Sequence, residues 1–370
     1  MTAQPAKPTA ATPGRRASSL AAVVWRGTRQ FRPVLLLLLA LVVLLLLTQQ
    51  AFGTSSNLQN LLAGVSVLWI VSLGMTFALL AAGADLSVGA FATLSGVALA
   101  RLMQHGLPGY VAIPVVVLAA AVLGAAVNGA LIGYGRLSFF VVTLASMTTL
   151  TGIVNLWTGG DSTFVTDHTV TAIGAYAFAG LGIPVWIVII SLVLALWLQR
   201  QTYFGRDVYA VGGSLTASRL SGIRSGRTLA LVYALCAACA AVGGTIAAGR
   251  VGVAVPNVDG SLALQSIAAV LLGGTSLMGG VGGVGGTALG VLFIGTLQNG
   301  LSLAGLPSFW QQVVTGIILV IAVLGDRVVH RRGGARATAP PTPPAGPDGT
   351  AMSAAGIHRS TPGPPSLTTD

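Results

Sequence analysis

Apolar residues run through this chain in long blocks separated by short polar segments, not at the three- and four-residue spacing of a soluble amphipathic helix. A membrane-crossing helix needs roughly 20 mostly apolar residues, because each adds about 1.5 Å towards a hydrocarbon layer about 30 Å thick. Blocks of this kind lie near 34–52, 60–80, 88–104, 110–131, 138–157, 182–199, 228–247, 263–278, 284–303 and 310–325. The pattern predicts an all-α fold, a polytopic transmembrane helical bundle of about ten spans. It lacks the alternation of a membrane β-barrel. Only the glycine-rich run 279–286 separates the eighth span from the ninth, and it reads as a flexible or closely packed helix break.

Charge orients these spans. Of the 19 Lys and Arg residues, all but Arg101 and Arg250 fall in the tails or in alternate connections on the same side as both termini. The positive-inside rule makes that side cytoplasmic. The formal charge of +11 is then a topology signal beside anionic lipid headgroups, so membrane lipid is an expected partner and nucleic acid is not. Trp186, Trp310 and Tyr110 suit the outer aromatic belt, and Trp197 and Tyr134 the inner one. Residues 1–33 and 328–370, rich in Pro, Ala, Gly, Ser and Thr, are expected to be disordered cytoplasmic tails around a membrane domain at 34–327.

Little in the chain suggests catalysis. His105, His168, His330 and His358 have no Cys or carboxylate at metal-ligand spacing, and there is no glutamate at all. Cys236 and Cys239 share a helix face inside an apolar span, where packing is the plain reading and redox or metal work the alternative. No GxxxxGK[ST] phosphate loop exists. The chain is therefore expected to be no enzyme and to hold no metal or cofactor, leaving any ATP to a partner protein.

The longest basic connection, 200–227, carries its own helix signals: Ser214 as amino-terminal cap, a short helix through Leu215 to Ser221, and Gly222 as left-handed terminator. The residues leave two readings open, an interfacial connector or a coupling helix that docks into a cytoplasmic motor. Here the sequence resembles the ribose-type permeases of ABC sugar importers, over roughly residues 55–327. The segments GADLSVGAFATLSGVALA (83–100), FGRDVYAVGGSLTASRLSGI (204–223), SIAAVLLGGTSLMGGVGGVGGTALG (266–290), and QNG (298–300) with SFWQQVVTG (308–316) follow the family's motifs in order. Ser214 stands where Asn is common, and an acidic residue often found in the coupling helix is missing.

The resemblance implies a homodimeric permease of a bacterial inner or plasma membrane. It would dock on a cytoplasmic ATP-binding subunit that holds ATP and Mg, and receive a pentose, hexose or polyol from an extracytoplasmic sugar-binding protein. It assigns coupling to Gly205, Arg206, Ala210, Gly212, Gly213, Ala217, Arg219, Leu220 and Gly222. Related permeases carry nucleosides or branched-chain amino acids, and these remain alternatives. An ion-coupled secondary carrier is another, which would need an ionisable residue midway through a span.

The two halves of the chain also repeat. Asp85-Leu86-Ser87 precedes Asn128-Gly129 and Ser138-Phe139 much as Asp259-Gly260-Ser261 precedes Asn299-Gly300 and Ser308-Phe309. With five spans in each half, the halves would be inverted, an arrangement that places transporter sites near broken helices. Asp85 is expected to cap the third span through the amides of Val88 or Gly89, with sugar contact as the alternative. Polar residues inside spans supply pathway candidates: Asp85, Ser87, Asn128, Thr143, Ser146, Asn155, Gln298, Asn299 and Gln311, joined by Thr148, Thr149, Gln265 and Gln312. Phe139, Phe309 or Trp310 could offer a sugar an aromatic face.

Overall fold

The computed structural model describes residues 32–337 apart from 166, 176, 179, 258 and 259. Asp259 and most of both tails therefore lie outside the described residues. The chain divides into two units at Arg327–Val328, and the first contains the bundle. Its helices are α1 (Arg32–Thr48), α2 (Ser55–Leu80), α3 (Val88–Gln104), α4 (Gly109–Gly133), α5 (Phe139–Thr158), α6 (His168–Ala175), α7 (Ile183–Gln201), α8 (Tyr203–Gly213), α9 (Leu215–Leu220), α10 (Ser225–Val251), α11 (Gly260–Leu272), α12 (Val284–Leu303) and α13 (Ser308–Ala337). Each expected span has a helix. Among the described residues, α2, α4, α5, α7, α10, α12 and the Ser308–Gly325 part of α13 are long and apolar enough to cross a membrane, whereas α1, α3 and α11 are shorter. The expected eighth span, 263–278, is corrected: α11 stops at Leu272, and a non-helical segment rich in left-handed glycines leads into α12.

Helices α2 and α10 form the centre. Most of α2 is buried, while α7 and α13 turn apolar faces outward, as lipid-facing helices do. The central contacts are made by small residues that let backbones approach. A Cβ on Gly74 of α2 would stand 2.8 Å from the Cys236 Cα of α10, and the Cys236 thiol donates to the Gly74 carbonyl at 3.2 Å. The Cys236/Cys239 pair therefore serves packing. Along α4, Gly124, Gly129 and Gly133 lie against Ala237, Ala230 and Gly226 of α10. Gly124 and Gly129 are five apart, one more than an α-helical turn carries, and the π-helical turn Ala125–Gly129 absorbs the extra residue and keeps both on one face. The same turn buries Asn128 completely.

The bundle end at Val251 is termed upper and the end at Ser225 lower. At the upper end two-residue strands β1 (Thr163–Phe164) and β2 (Val253–Ala254) pair antiparallel, and α6 lies on α10, where Val170 and Ile173 are buried. The long 158–180 connection is thus fastened to the bundle. Asp167 clamps it: its carboxylate accepts from the amides of Gly109 at 3.2 Å and Thr169 at 2.7 Å. Burial acts to raise this carboxyl, but the amide donors outweigh it and hold it below the usual range.

Candidate functional site

At the lower end α2 stops at Leu80, Ala82 takes a left-handed conformation (φ 59°), and the chain turns through Asp85 before α3 begins. Asp85 is fully buried. Its Oδ1 accepts from the Ser87 amide at 2.9 Å and from the Ser87 hydroxyl. The amides of Val88 and Gly89 do not bond to it, which corrects the expected cap: the tight turn before α3 brings Ser87, two residues on, to the carboxylate. Asn128 Nδ2 donates to Ser87 Oγ at 2.9 Å, and Ser146 Oγ donates to Asn128 Oδ1. Asp85, Ser87, Asn128 and Ser146 therefore face one another, and tie the start of α3 to α4 and α5 instead of lining an open path. Buried Thr143 bonds to the Phe139 carbonyl of its own helix at 2.8 Å.

Asn299 answers Asn128 at the opposite end. It exchanges two hydrogen bonds with Asn57, at 3.1 and 2.9 Å. Asn57 lies in the first turn of α2 and Asp85 just past its last, so about 35 Å of helix separates the two asparagine clusters. The equivalent Asn-Gly positions of the two halves thus lie at opposite ends of the bundle.

Beside the Asn299 end is the most polar cavity described, about 530 Å³, lined by Asn257, Ser261, Gln265, Ser308, Gln311 and Gln312. Gln265 Nε2 donates to Ser261 Oγ at 2.8 Å and Gln311 Nε2 to Ser302 Oγ at 3.0 Å, which sets both amides. Asn257 also lines a second cavity, about 280 Å³, that reaches between α2, α3 and α10. That cavity is floored by glycine contacts: a Cβ on Gly244 would stand 2.0 Å from the Ala92 carbonyl. Amides and hydroxyls donate and accept without charge, which suits a neutral polyhydroxylated ligand. Gln311, Gln265 and Gln312 were legible as polar residues in apolar spans. Asn257 was not, since it sits in the connection after α10 beside Pro256 with no pattern to mark it.

Other candidates stand apart from this mouth. Asn155 is exposed on α5, Gln298 is half-buried on α12, and Phe309 and Trp310 are 61% and 48% exposed, so neither ring lines the polar cavity. Phe139 lines a cavity at the lower end.

The 203–222 segment forms α8 and α9. Ser214 Oγ accepts from the Ala217 amide at 3.2 Å and Gly222 is left-handed (φ 82°), as its sequence predicts. Thr202 caps α8 through the Gly205 amide at 3.1 Å, and a Cβ on Gly205 would meet the Gln199 carbonyl at 2.2 Å. Gly212 is tighter still: a Cβ there would stand 1.8 Å from the Leu80 carbonyl, which itself accepts from the Gly280 amide at 2.9 Å. Gly213, by contrast, has open space. Tyr209 donates to the Gly282 carbonyl at 2.7 Å, and Gln199 bonds both Tyr209 and the Val284 amide. Gln199 and Tyr209 went unnoticed in the sequence because their partners lie more than seventy residues away. Arg206 lies over the Tyr203 ring at 4.4 Å, Arg219 Nε donates to Ser225 Oγ at 2.9 Å, Ala217 lies on exposed turns of α9, and Leu220 is 85% exposed. Ala210 is half-buried and accepts from the Ser214 amide.

A family profile described as the branched-chain amino acid transport system, permease component, matches residues 57–323. The ribose import permease of Bacillus subtilis is 40% identical over 273 residues, 73% of this chain and 84% of that protein. The ribose import permease of Escherichia coli K12 is 37% identical over 281 residues, 74% and 87% of the two chains. An L-arabinose ABC transporter permease of Azospirillum brasilense is 33% identical over 286 residues, 77% and 84%. No solved structure matches the chain.

Proposed function

The chain belongs to the family of branched-chain amino acid transport system permease components, and from that premise we propose that it is the membrane-spanning subunit of an ATP-driven importer of a monosaccharide. The observation that carries the cargo class is the upper mouth, whose described lining presents the amides of Asn257, Gln265, Gln311 and Gln312 and the hydroxyls of Ser261 and Ser308. A pentose or hexose brings only hydroxyls, and the relatives named for ribose and arabinose agree with it.

The upper end is then extracytoplasmic and receives sugar from a binding protein, with both chain termini cytoplasmic. ATP and Mg belong to a separate cytoplasmic subunit, onto which α9 docks as the coupling helix through exposed Leu215 and Leu220. Because Gly212 touches both the α2 end and Gly280, a push on α9 passes directly to the breaks beside Asp85 and before α12. Two copies form the complete path. In proteoliposomes reconstituted with such an ATPase and a ribose-type binding protein, labelled ribose, arabinose or xylose should accumulate only with ATP and Mg on the ATPase side. Uptake driven by an ion gradient without ATP, or uptake of leucine in place of every sugar, would overturn the proposal.

A further inference from the structure

At the lower end a cavity of about 280 Å³ opens where the break after α2, the α4–α5 turn, α9 and the start of α10 meet. We propose that it binds a phosphate-bearing anion between the guanidinium groups of Arg136 and Arg219. Both arginines line it, Ser138 adds a hydroxyl, and Ile132, Leu137 and Leu229 supply apolar wall, with no acidic residue in the lining. Arg136 has no hydrogen-bond or ionic partner among the described residues, and Arg219 commits only Nε, to Ser225. A guanidinium offers phosphate two parallel donors, so two arginines on one cavity suit a phosphate-bearing ligand.

Among the described residues only Ala82 (φ 59°) and Arg136 (φ 55°) are left-handed without being glycine; each closes the helix before it, and these two helix ends bring both residues to this cavity. A basic pocket with apolar walls at the ends of membrane helices suits an anionic phospholipid, its headgroup phosphate on the arginines and its acyl chain on the walls, and free phosphate shares the headgroup's chemistry. The site rests on this geometry alone. Its consequence, that an occupied clamp ties α9 to the Asp85 break, rests on the importer reading.

The test needs no transport. The purified full chain is placed in nanodiscs of phosphatidylcholine, with either phosphatidylglycerol or millimolar inorganic phosphate added, and bound anion is read by native mass spectrometry and thermal shift. Wild-type protein should retain phosphatidylglycerol, or be stabilised by phosphate in phosphatidylcholine alone. The first result assigns a lipid source, the second a soluble one, and either supports the clamp. Arg136→Gln should weaken binding roughly tenfold, while Arg101→Gln, near the carboxy end of α3, should leave it intact. Binding of neither anion, or unchanged binding by Arg136→Gln, would overturn the proposal and leave the importer assignment standing.

Discussion

Where α10 ends at Val251, the neighbouring helices leave room, and much of what faces that room is amide and hydroxyl. Where α10 begins at Ser225, glycines bring backbone against backbone: Gly133 on Gly226, Gly212 on Leu80, Gly280 on Gly213. The asparagines repeat the contrast. Asn128 belongs to a fully buried network around a carboxylate, whereas Asn299 makes a partly buried amide pair. On the proposed importer function, the upper end would admit a hydrated solute and the lower would be held shut until something moves it. The same motif order in both halves thus yields a polar mouth once and a sealed junction once.

The sharpest way to break this contrast is to add a methyl group at the sealed end. Gly212→Ala sets a Cβ against the Leu80 carbonyl and should cost about 3 kcal/mol of stability, with loss of uptake. Gly213→Ala, one residue on in open space, should stay within about 0.5 kcal/mol. Thermal unfolding of the pair in one detergent checks it, and equal costs would remove the seal.

Next in size are the asparagines. Asn128→Ala strips donors from buried Ser87 and Asp85 and should destabilise by about 2–3 kcal/mol, against about 1 kcal/mol for Asn299→Ala. Matched melting curves decide. A larger loss at Asn299 would reverse the assignment of which end is locked.

At the open mouth the effect should appear in affinity. Gln265→Ala or Gln311→Ala should raise the sugar concentration for half-maximal uptake roughly 3- to 10-fold, one hydrogen bond's worth, with little change in melting. Unchanged saturation in the double variant would move the cargo elsewhere.

The smallest effect concerns the Asp167 clamp. Its carboxyl is depressed in the folded chain, so its contribution is present above the ordinary carboxylate pKa of about 4 and is lost as pH falls below it. Protection against hydrogen exchange at Gly109 and Thr169, relative to the intrinsic rate, should fall below that pH in the wild type. Asp167→Asn should exchange fast at neutral pH as well.

Much of the bundle was legible because lipid imposes one dominant rule, and long apolar blocks mark their own helices. The α8–α9 segment was legible too, since Ser214 and Gly222 are local signals whose meaning depends on neighbours a few residues away. What escaped was set by distance. That Asp85 would turn to Ser87 and Asn128, and not to the next helical amides, depends on a π-helical turn forty residues later. The early end of α11 at Leu272 reflects Gly273 lying against Gly286, a contact an apolar run cannot announce. Polarity inside spans marked both asparagine clusters as pathway candidates, but only the fold separates residues that bind helices together from those that face a cavity.

The most direct test is two-sided cysteine labelling in a background lacking Cys236 and Cys239. A membrane-impermeant thiol reagent applied outside intact cells should label Ser261→Cys but not Leu220→Cys, and the transported sugar, delivered by its binding protein, should slow the labelling. Inverted vesicles should give the reverse pattern. Labelling of both positions from one side, or a Ser261→Cys reaction indifferent to every sugar, would contradict a sugar-admitting upper mouth opposite a cytoplasmic coupling helix.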